Sequence, residues 1–495
     1  MKFSQWHNVL IVFLILGIIS CESGQAKTSQ RPDVNSEGRS AVQKQAETKS
    51  AKPEPGDTAS LLLLITRLLD NNDYEAALVR FDRIDPKDAE KVEVRLLKVS
   101  VLISAGKNAE ARSMINEILK TDPEYVPALL LLSSAEEAED RNREQRIVLE
   151  KILLLEPDNV TALLSMGKLM IRSSTARQAG PYFDRVLASD PGNGEALLGR
   201  AWVYRNAREP KKAEELLNKA IELYPDWGRA YQERGRLYKS AGFYQAALAD
   251  LDKAKALEAD NYFIACDRGD ALKNLNRKEE ALAEYERAIA INPDYFLAYV
   301  FSSALKDNLG DYNGAFDDYK KLASLNPDYF FAFEGLGMHL MRLSRWLEAR
   351  DAFMEAYKRA AKMGGGSQAN NAGTEETMYA LLAAVCALHG GTRGDARPFL
   401  DEALKRVTRD SMEYRMLRLY RDWAGDMDIT NRIDREKNPF VKSRMLFYLA
   451  YYYDIRGNKN LASKLFLQVR DLEVKDMIEW RLNEWALEAR GLALQ

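Results

Sequence analysis

The sequence predicts an all-α solenoid in which antiparallel helix pairs stack one on the next. Three observations lead to that class. Pro123, Pro157, Pro191, Pro225, Pro293 and Pro327 lie on a single grid of 34 residues, with Ala259 at the one grid point between them that lacks proline. A small residue recurs 12 positions before the grid point, at Ala179, Ala213, Ala247, Ala281 and Ala315. An aromatic or aliphatic residue follows four later, at Phe183, Leu217, Leu251, Tyr285 and Tyr319. Each type has a packing reason. Proline ends a helix because it disfavours helical geometry in the residue before it. Small residues let two helices approach closely, and the large ones fill the space between pairs.

This pattern resembles the tetratricopeptide repeat (TPR) family, whose period of 34 carries A-x3-F and then P. The resemblance implies a right-handed superhelical solenoid whose concave face is lined by the first helix of each pair. Such an array also accommodates 495 residues, too many for one compact core, because each unit touches only its neighbours.

Taken in order, the chain starts with an apolar run from Val9 to Ile19, broken only by Gly17. The run is shorter than the roughly 20 residues of a membrane-spanning helix and suits the hydrophobic region of a secretory signal peptide. Ile18-Ile19-Ser20-Cys21 resembles the lipobox of bacterial lipoproteins. That resemblance implies a signal peptide over 1–20, cleavage before Cys21, and lipid on its sulfur and new amino group. Glu22 is not the Asp that retains enterobacterial lipoproteins in the inner membrane, which points to the outer one. Residues 23–57 hold no aromatic side chain and are dominated by Ser, Gln, Lys, Glu and Pro. Such a segment cannot bury enough apolar surface to order itself, so 21–57 is expected to be a lipidated, disordered tether with a reach of roughly 30 Å.

The TPR array is expected over 58–361. Its first pair begins near Thr58, and Pro86, three residues ahead of the grid, predicts a shortened first unit. The row from Val126 to Pro157 is degenerate, with Gln145 in the small slot and Leu149 in the aromatic one, and the rows from Gly194 to Pro327 are the cleanest. Residues 362–376 carry Gly364-Gly365-Gly366-Ser367 and read as a flexible insertion. No phosphate loop is expected there, since no Lys-Ser/Thr follows a spaced glycine pair. TPR-like pattern returns over 377–495, with Ala380, Ala384, Ala396, Leu400 and Ala403 in one pair, a single helix over 411–424, and a last unit over 443–469. A terminal helix with Ile478, Leu482, Trp485 and Leu487 on one side is expected to close the array with a polar outer face.

In the TPR family the groove is formed by the second, fifth, ninth, twelfth and thirteenth places of each first helix. Carried onto this chain, the resemblance implies a groove of Trp202, Arg205, Asn206, Arg229, Gln232, Arg236, Lys239, Asp270, Lys273 and Asn274. This set is polar and mostly basic and suits a peptide or protein partner with acidic character. The Lys/Asn/Arg constellation by which some TPR proteins grip a terminal carboxylate is not matched, since the fifth and ninth places read Leu198 and Trp202, then Gln232 and Arg236. The aromatic runs Tyr295-Phe296-Tyr299-Phe301 and Tyr329-Phe330-Phe331-Phe333 are expected to pack between rows.

Other classes find no support. A net charge of −3 argues against a nucleic-acid partner. His7 and His339 lie near no second His or Cys, and no cluster of ligands at metal spacing is seen around His389, so no metal and no cofactor is expected. Cys266 and Cys386 read as buried small hydrophobes. No hydrolase, metalloprotease or nucleotide-binding motif is present, so neither catalysis nor a small-molecule substrate is expected. The sequence thus leads to a membrane-anchored scaffold in the bacterial cell envelope, attached through Cys21, with a surface-displayed adhesin as the alternative.

Overall fold

A row of 34 residues is long enough for two helices of three to four turns and two tight turns, and the rows fold that way. The computed structural model describes residues 57–173, 176–364, 372–391, 393–409 and 411–492. The signal peptide, Cys21, the tether up to residue 56 and residues 365–371 of the expected insertion lie outside the described residues. The first three rows contribute α1 (Thr58–Asp70), α2 (Tyr74–Phe81), α3 (Pro86–Ala89), α4 (Val92–Ser104), α5 (Asn108–Thr121), α6 (Val126–Ala138) and α7 (Asn142–Leu155). There follow α8 (Val160–Arg172), α9 (Gly180–Ser189), α10 (Gly194–Asn206), α11 (Pro210–Leu223), α12 (Gly228–Ser240), α13 (Tyr244–Leu257), α14 (Tyr262–Asn274) and α15 (Lys278–Ile291). The rest comprises α16 (Phe296–Leu309), α17 (Tyr312–Leu325), α18 (Phe330–Arg342), α19 (Trp346–Gly364), α20 (Ala372–His389), α21 (Arg393–Arg406), α22 (Met412–Asp422), α23 (Asp426–Arg435), α24 (Pro439–Ile455), α25 (Lys459–Asp471) and α26 (Ile478–Glu488). The described residues contain no strand. The chain divides into two compact units, the first ending at Leu237 and the second beginning at Tyr238.

In eight rows the turn between the two helices is set by backbone geometry rather than by residue type. Asn72, Gly106, Asp140, Arg208, Gly242, Asn276, Gly310 and Ser344 share one place in their rows and all have positive φ, from 54° to 81°. The next residue closes the helix end: Lys107 N–H donates to Leu102 O at 2.8 Å, Glu209 to Tyr204 at 2.9 Å and Arg277 to Leu272 at 3.0 Å. This is the left-handed helix terminus that glycine occupies most cheaply. Arg208 and Ser344 are exposed, so Arg208→Gly and Ser344→Gly should each stabilise their units by up to about 1 kcal/mol, read as a shift in denaturation midpoint.

The same place corrects one expectation. α1 and α4 start one full period apart, so the first row is not shortened. Its second helix α2 is short instead, and Pro86 opens α3, capped by the Asp85 side chain on Lys87 N–H, rather than ending α2. Elsewhere the grid proline lies directly after the C-cap of the second helix, as at Pro123, Pro157, Pro191 and Pro225.

Packing follows the spacing. Ala179, Ala213, Ala247, Ala281 and Ala315 have no exposed surface. In the first unit the fully buried Phe183 ring lies between Gly167 of its own row and Gly199 of the next. A Cβ at Gly167 would come within 2.6 Å of the ring, and one at Gly199 within 2.4 Å. Rows are also tied through the backbone. Lys151, Arg185 and Arg287 hold one place in their rows and donate to the carbonyls of Pro123, Pro157 and Ala259 in the row before.

The C-terminal part builds a larger core, in which Tyr420, Phe447, Tyr448, Tyr452 and Phe466 are all buried. Tyr420 satisfies its hydroxyl by donating to Tyr448 O at 2.6 Å. α23 was not expected from the pattern. α26 differs in character from the expected polar-faced terminus: Glu479 and Asn483 are as buried as Leu482 and Leu487. Burial of the polar side follows from its position, since the helix packs on α24, α25 and α18 together.

Candidate functional site

The groove candidates sit on first helices, whose inner positions are held by the small-residue packing described above. In the first unit, Trp202 and Arg205 are half-buried, Asn206 and Arg229 exposed, Arg236 half-buried and Gln232 buried at 4% exposure. In the second unit, Lys239 and Asp270 are half-buried while Lys273 and Asn274 are exposed. Nine of these ten side chains therefore reach solvent, and Gln232 is all but enclosed.

The cations do not form an open basic strip. Arg229 Nη1 lies 2.8 Å from Glu195 Oε1, and Lys168 Nζ lies 3.0 Å from the same carboxylate. Arg205 and Arg236 share Glu233, at 3.0 and 2.7 Å. In the second unit Lys239 Nζ bridges Asp267 at 2.8 Å and Asp270 at 2.9 Å, and Tyr285 donates to the other oxygen of Asp270 at 2.8 Å. Asn206 and Asn274 each donate to a carbonyl one turn back in their own helix. Glu195, Glu233 and Asp267 were not among the sequence candidates. Glu233 and Asp267 occupy the sixth place of successive rows, outside the family's groove places; Glu195 occupies the second place and was legible there.

These pairs set the electrostatics. Burial would push Glu195 up, but Lys168 and Arg229 outweigh it and hold its carboxyl below the ordinary 4.5. Burial would pull Lys239 down, but Asp267 and Asp270 outweigh it and raise its ammonium above 10.5. A carboxyl lowered in the folded state adds stability above its unfolded value and loses it as pH falls through the folded one. Glu195 thus contributes fully above about pH 4.5 and progressively less in more acid solution. Glu195→Gln should remove this part of the acid dependence, seen as a smaller difference in denaturation midpoint between neutral and acid pH than the unaltered chain shows. Lys239 has the opposite sign: its contribution is present below pH 10.5 and lost above it.

The aromatic runs pack mainly between rows. Phe296 meets Tyr329 edge-on at 4.9 Å, and Tyr299 is buried with its hydroxyl on Pro293 O at 3.0 Å. Phe331 is the exception: it is exposed at the second place of its row, as Leu297 is in the row before. Cys266 and Cys386 are buried and free, and burial, with Asp267 and Asp270 adding to it, pushes the Cys266 thiol up to about 12. Among the described residues no group of three or more His, Cys, Asp and Glu could hold a metal ion, and no helix is long and apolar enough to cross a membrane.

With the helix pairs, the period and the first-helix faces in place, comparison with known families decides the assignment. The tetratricopeptide repeat family model matches residues 68–136, 170–234 and 263–295. These stretches are tetratricopeptide repeats. Solved structures with partial likeness include a tetratricopeptide repeat protein from Parabacteroides merdae ATCC 43184, at 19% identity over 50% of this chain and 97% of that one, with a TM-score of 0.43. PilW, a widely conserved type IV pilus biogenesis factor, matches at 20% identity over 42% and 96%, with a TM-score of 0.38. YrrB, a TPR protein with an unusual peptide-binding site, matches at 20% identity over 37% and 95%, with a TM-score of 0.28. No curated protein matches the chain in sequence. TPR proteins mediate protein–protein interactions and are generally non-enzymatic.

Proposed function

We propose that this protein is a lipid-anchored scaffold of the bacterial cell envelope that holds a protein or peptide against the first-helix faces of its rows. The observation that carries the reading is the state of those faces. Trp202, Arg205, Arg229, Arg236, Lys239 and Lys273 reach solvent, and all but Trp202 are held in ion pairs with neighbouring carboxylates. Side chains already held in place lose little freedom when a partner docks, which favours binding. An acidic partner would exchange its own carboxylates for Glu195, Glu233, Asp267 and Asp270, so its binding would weaken with salt. The anchor rests on the lipobox resemblance at Cys21, where more than one acyl chain would make attachment stable, and the outer membrane on Glu22.

A photo-crosslinkable residue in place of Arg229 or Lys273, in intact cells, should yield a defined protein adduct. The same residue in place of Lys219, on the second helix α11, should not. Equal adducts from Lys219 would remove the groove from the proposal. Protease treatment of intact cells then reports the side of the membrane. Protection of residues 23–57 fits an inward-facing scaffold, and cleavage there fits a displayed adhesin.

A further inference from the structure

In a solenoid a helix meets its neighbours in sequence, and α26 does more than that. It follows the last helix pair, yet it reaches back to the first helices α16 and α18. Arg481 Nη1 donates to Asp307 Oδ2 at 3.2 Å, across 174 residues of sequence. Trp485, one turn further along the same face of α26, meets the Tyr312 ring edge-on at 5.2 Å and the His339 ring at 5.5 Å. The Arg342 guanidinium lies over Tyr312 at 4.1 Å and over Trp485 at 5.8 Å.

Two of the places it reaches, those of Asp307 and Arg342, are groove places. Asp307 is the twelfth residue of its row and Arg342 the thirteenth of the next, the same places that hold Arg205 and Asn206 in α10. Asp307 is enclosed there: its side chain is 3% exposed, Tyr319 donates to Oδ2 at 3.0 Å, and His339 Nε2 lies 2.9 Å from Oδ1. The seat is nevertheless imperfect on the other side of α26. Glu479 is fully buried and ion-paired to Arg444 through Oε1, but its Oε2 has no protein partner, and neither does Asn483 Oδ1. Buried polar atoms are normally paired, so α26 keeps the polar side of an amphipathic helix inside a site that does not satisfy it.

We propose that α26 is a built-in ligand of the groove of the second unit. That groove takes a helix presenting a cation and, one turn on, an indole, to Asp307 and to the Tyr312–His339–Arg342 cluster. The partner of this region is a helical segment of the same basic–aromatic chemistry, and it binds by displacing α26. The inference rests on the groove-binding reading above and adds the class of partner and the internal competitor. It also reverses the sign expected earlier in the chain: here the groove supplies the carboxylate and the partner the cation.

The test uses the full chain and a labelled synthetic peptide of residues 476–490. The unaltered chain should bind it weakly, because its own α26 fills the seat. Arg481→Glu with Trp485→Ala should strip amide-exchange protection from α26, leave α24 and α25 protected, and raise peptide affinity at least tenfold. Adding Asp307→Asn, which keeps the shape and removes the charge, should reverse that gain in a chain whose α16 and α18 stay protected. If the double variant does not fold, Arg481→Gln alone is read the same way with a smaller gain. Protection of α26 unchanged in a folded variant would overturn the proposal, as would loss of protection with no gain in peptide binding. Neither result touches crosslinking from Arg229 in the first unit, so failure of this inference is distinguishable from failure of the scaffold reading.

Discussion

Phe183→Ala is expected to destabilise the first unit by about 3–5 kcal/mol, the usual cost of emptying a phenylalanine site that cannot collapse. The site cannot collapse because its walls are backbone. Gly167 and Gly199 face the ring from two successive first helices, and neither has a side chain that could move into the space. The reverse change, Gly199→Leu, is expected to cost about 1–3 kcal/mol by forcing the ring out. Chemical denaturation followed by the helical signal measures both, and amide exchange in α8 and α9 locates the loss. A loss under about 1 kcal/mol for Phe183→Ala would mean that the close approach of rows is not what holds this unit together.

The second large effect is expected at Asp307. Asp307→Ala removes a buried carboxylate that accepts from Tyr319 and Arg481 and faces His339. Removing the acceptor leaves the Tyr319 hydroxyl and the His339 ring buried without a partner, at about 1–3 kcal/mol for each unsatisfied group, while Arg481, with its side chain 38% exposed, recovers solvent and adds little. Asp307→Asn preserves shape and one acceptor oxygen, so it should cost clearly less. Equal losses from the two substitutions would show that charge, not hydrogen bonding, holds the cluster. The measurement is denaturation of the full chain, with amide exchange reporting whether α16, α18 and α26 loosen together.

The residues that were legible share one property: their partners lie within a row or in the next. Phe183 packs against Gly167 and Gly199 and Tyr285 against Gly269 and Phe301, each about half a period away, so the requirement recurs every period and can be read as spacing. The grid prolines and the turn at Gly106, Gly242 and Gly310 are legible for the same reason. Arg208 and Ser344 show the limit of that reading. They take the glycine conformation without being glycine, because hydrogen bonds such as Glu209 N–H to Tyr204 O hold the helix end whatever side chain stands there.

The candidate site was legible as a set of positions but not as an electrostatic surface. Arg205, Arg229, Arg236 and Lys239 stand where the family pattern puts them, on first helices. Their neutralisation by Glu195, Glu233, Asp267 and Asp270 depends on which places of adjacent first helices face one another, and counting residues along one row does not reveal it. Gln232 occupies a groove place and is buried all the same, because its neighbours close over it.

The sequence by itself determined the repeat, its register from Val92 to Pro327 and the helix pairs of those rows, because those follow from contacts confined to adjacent rows. Tertiary structure alone decided that Glu233 serves Arg205 of the preceding row as well as Arg236 of its own helix, and that Trp485 lies against Tyr312. These depend on groups brought together by rotation of one helix against another, or across more than a hundred residues. No period in the chain records such a meeting.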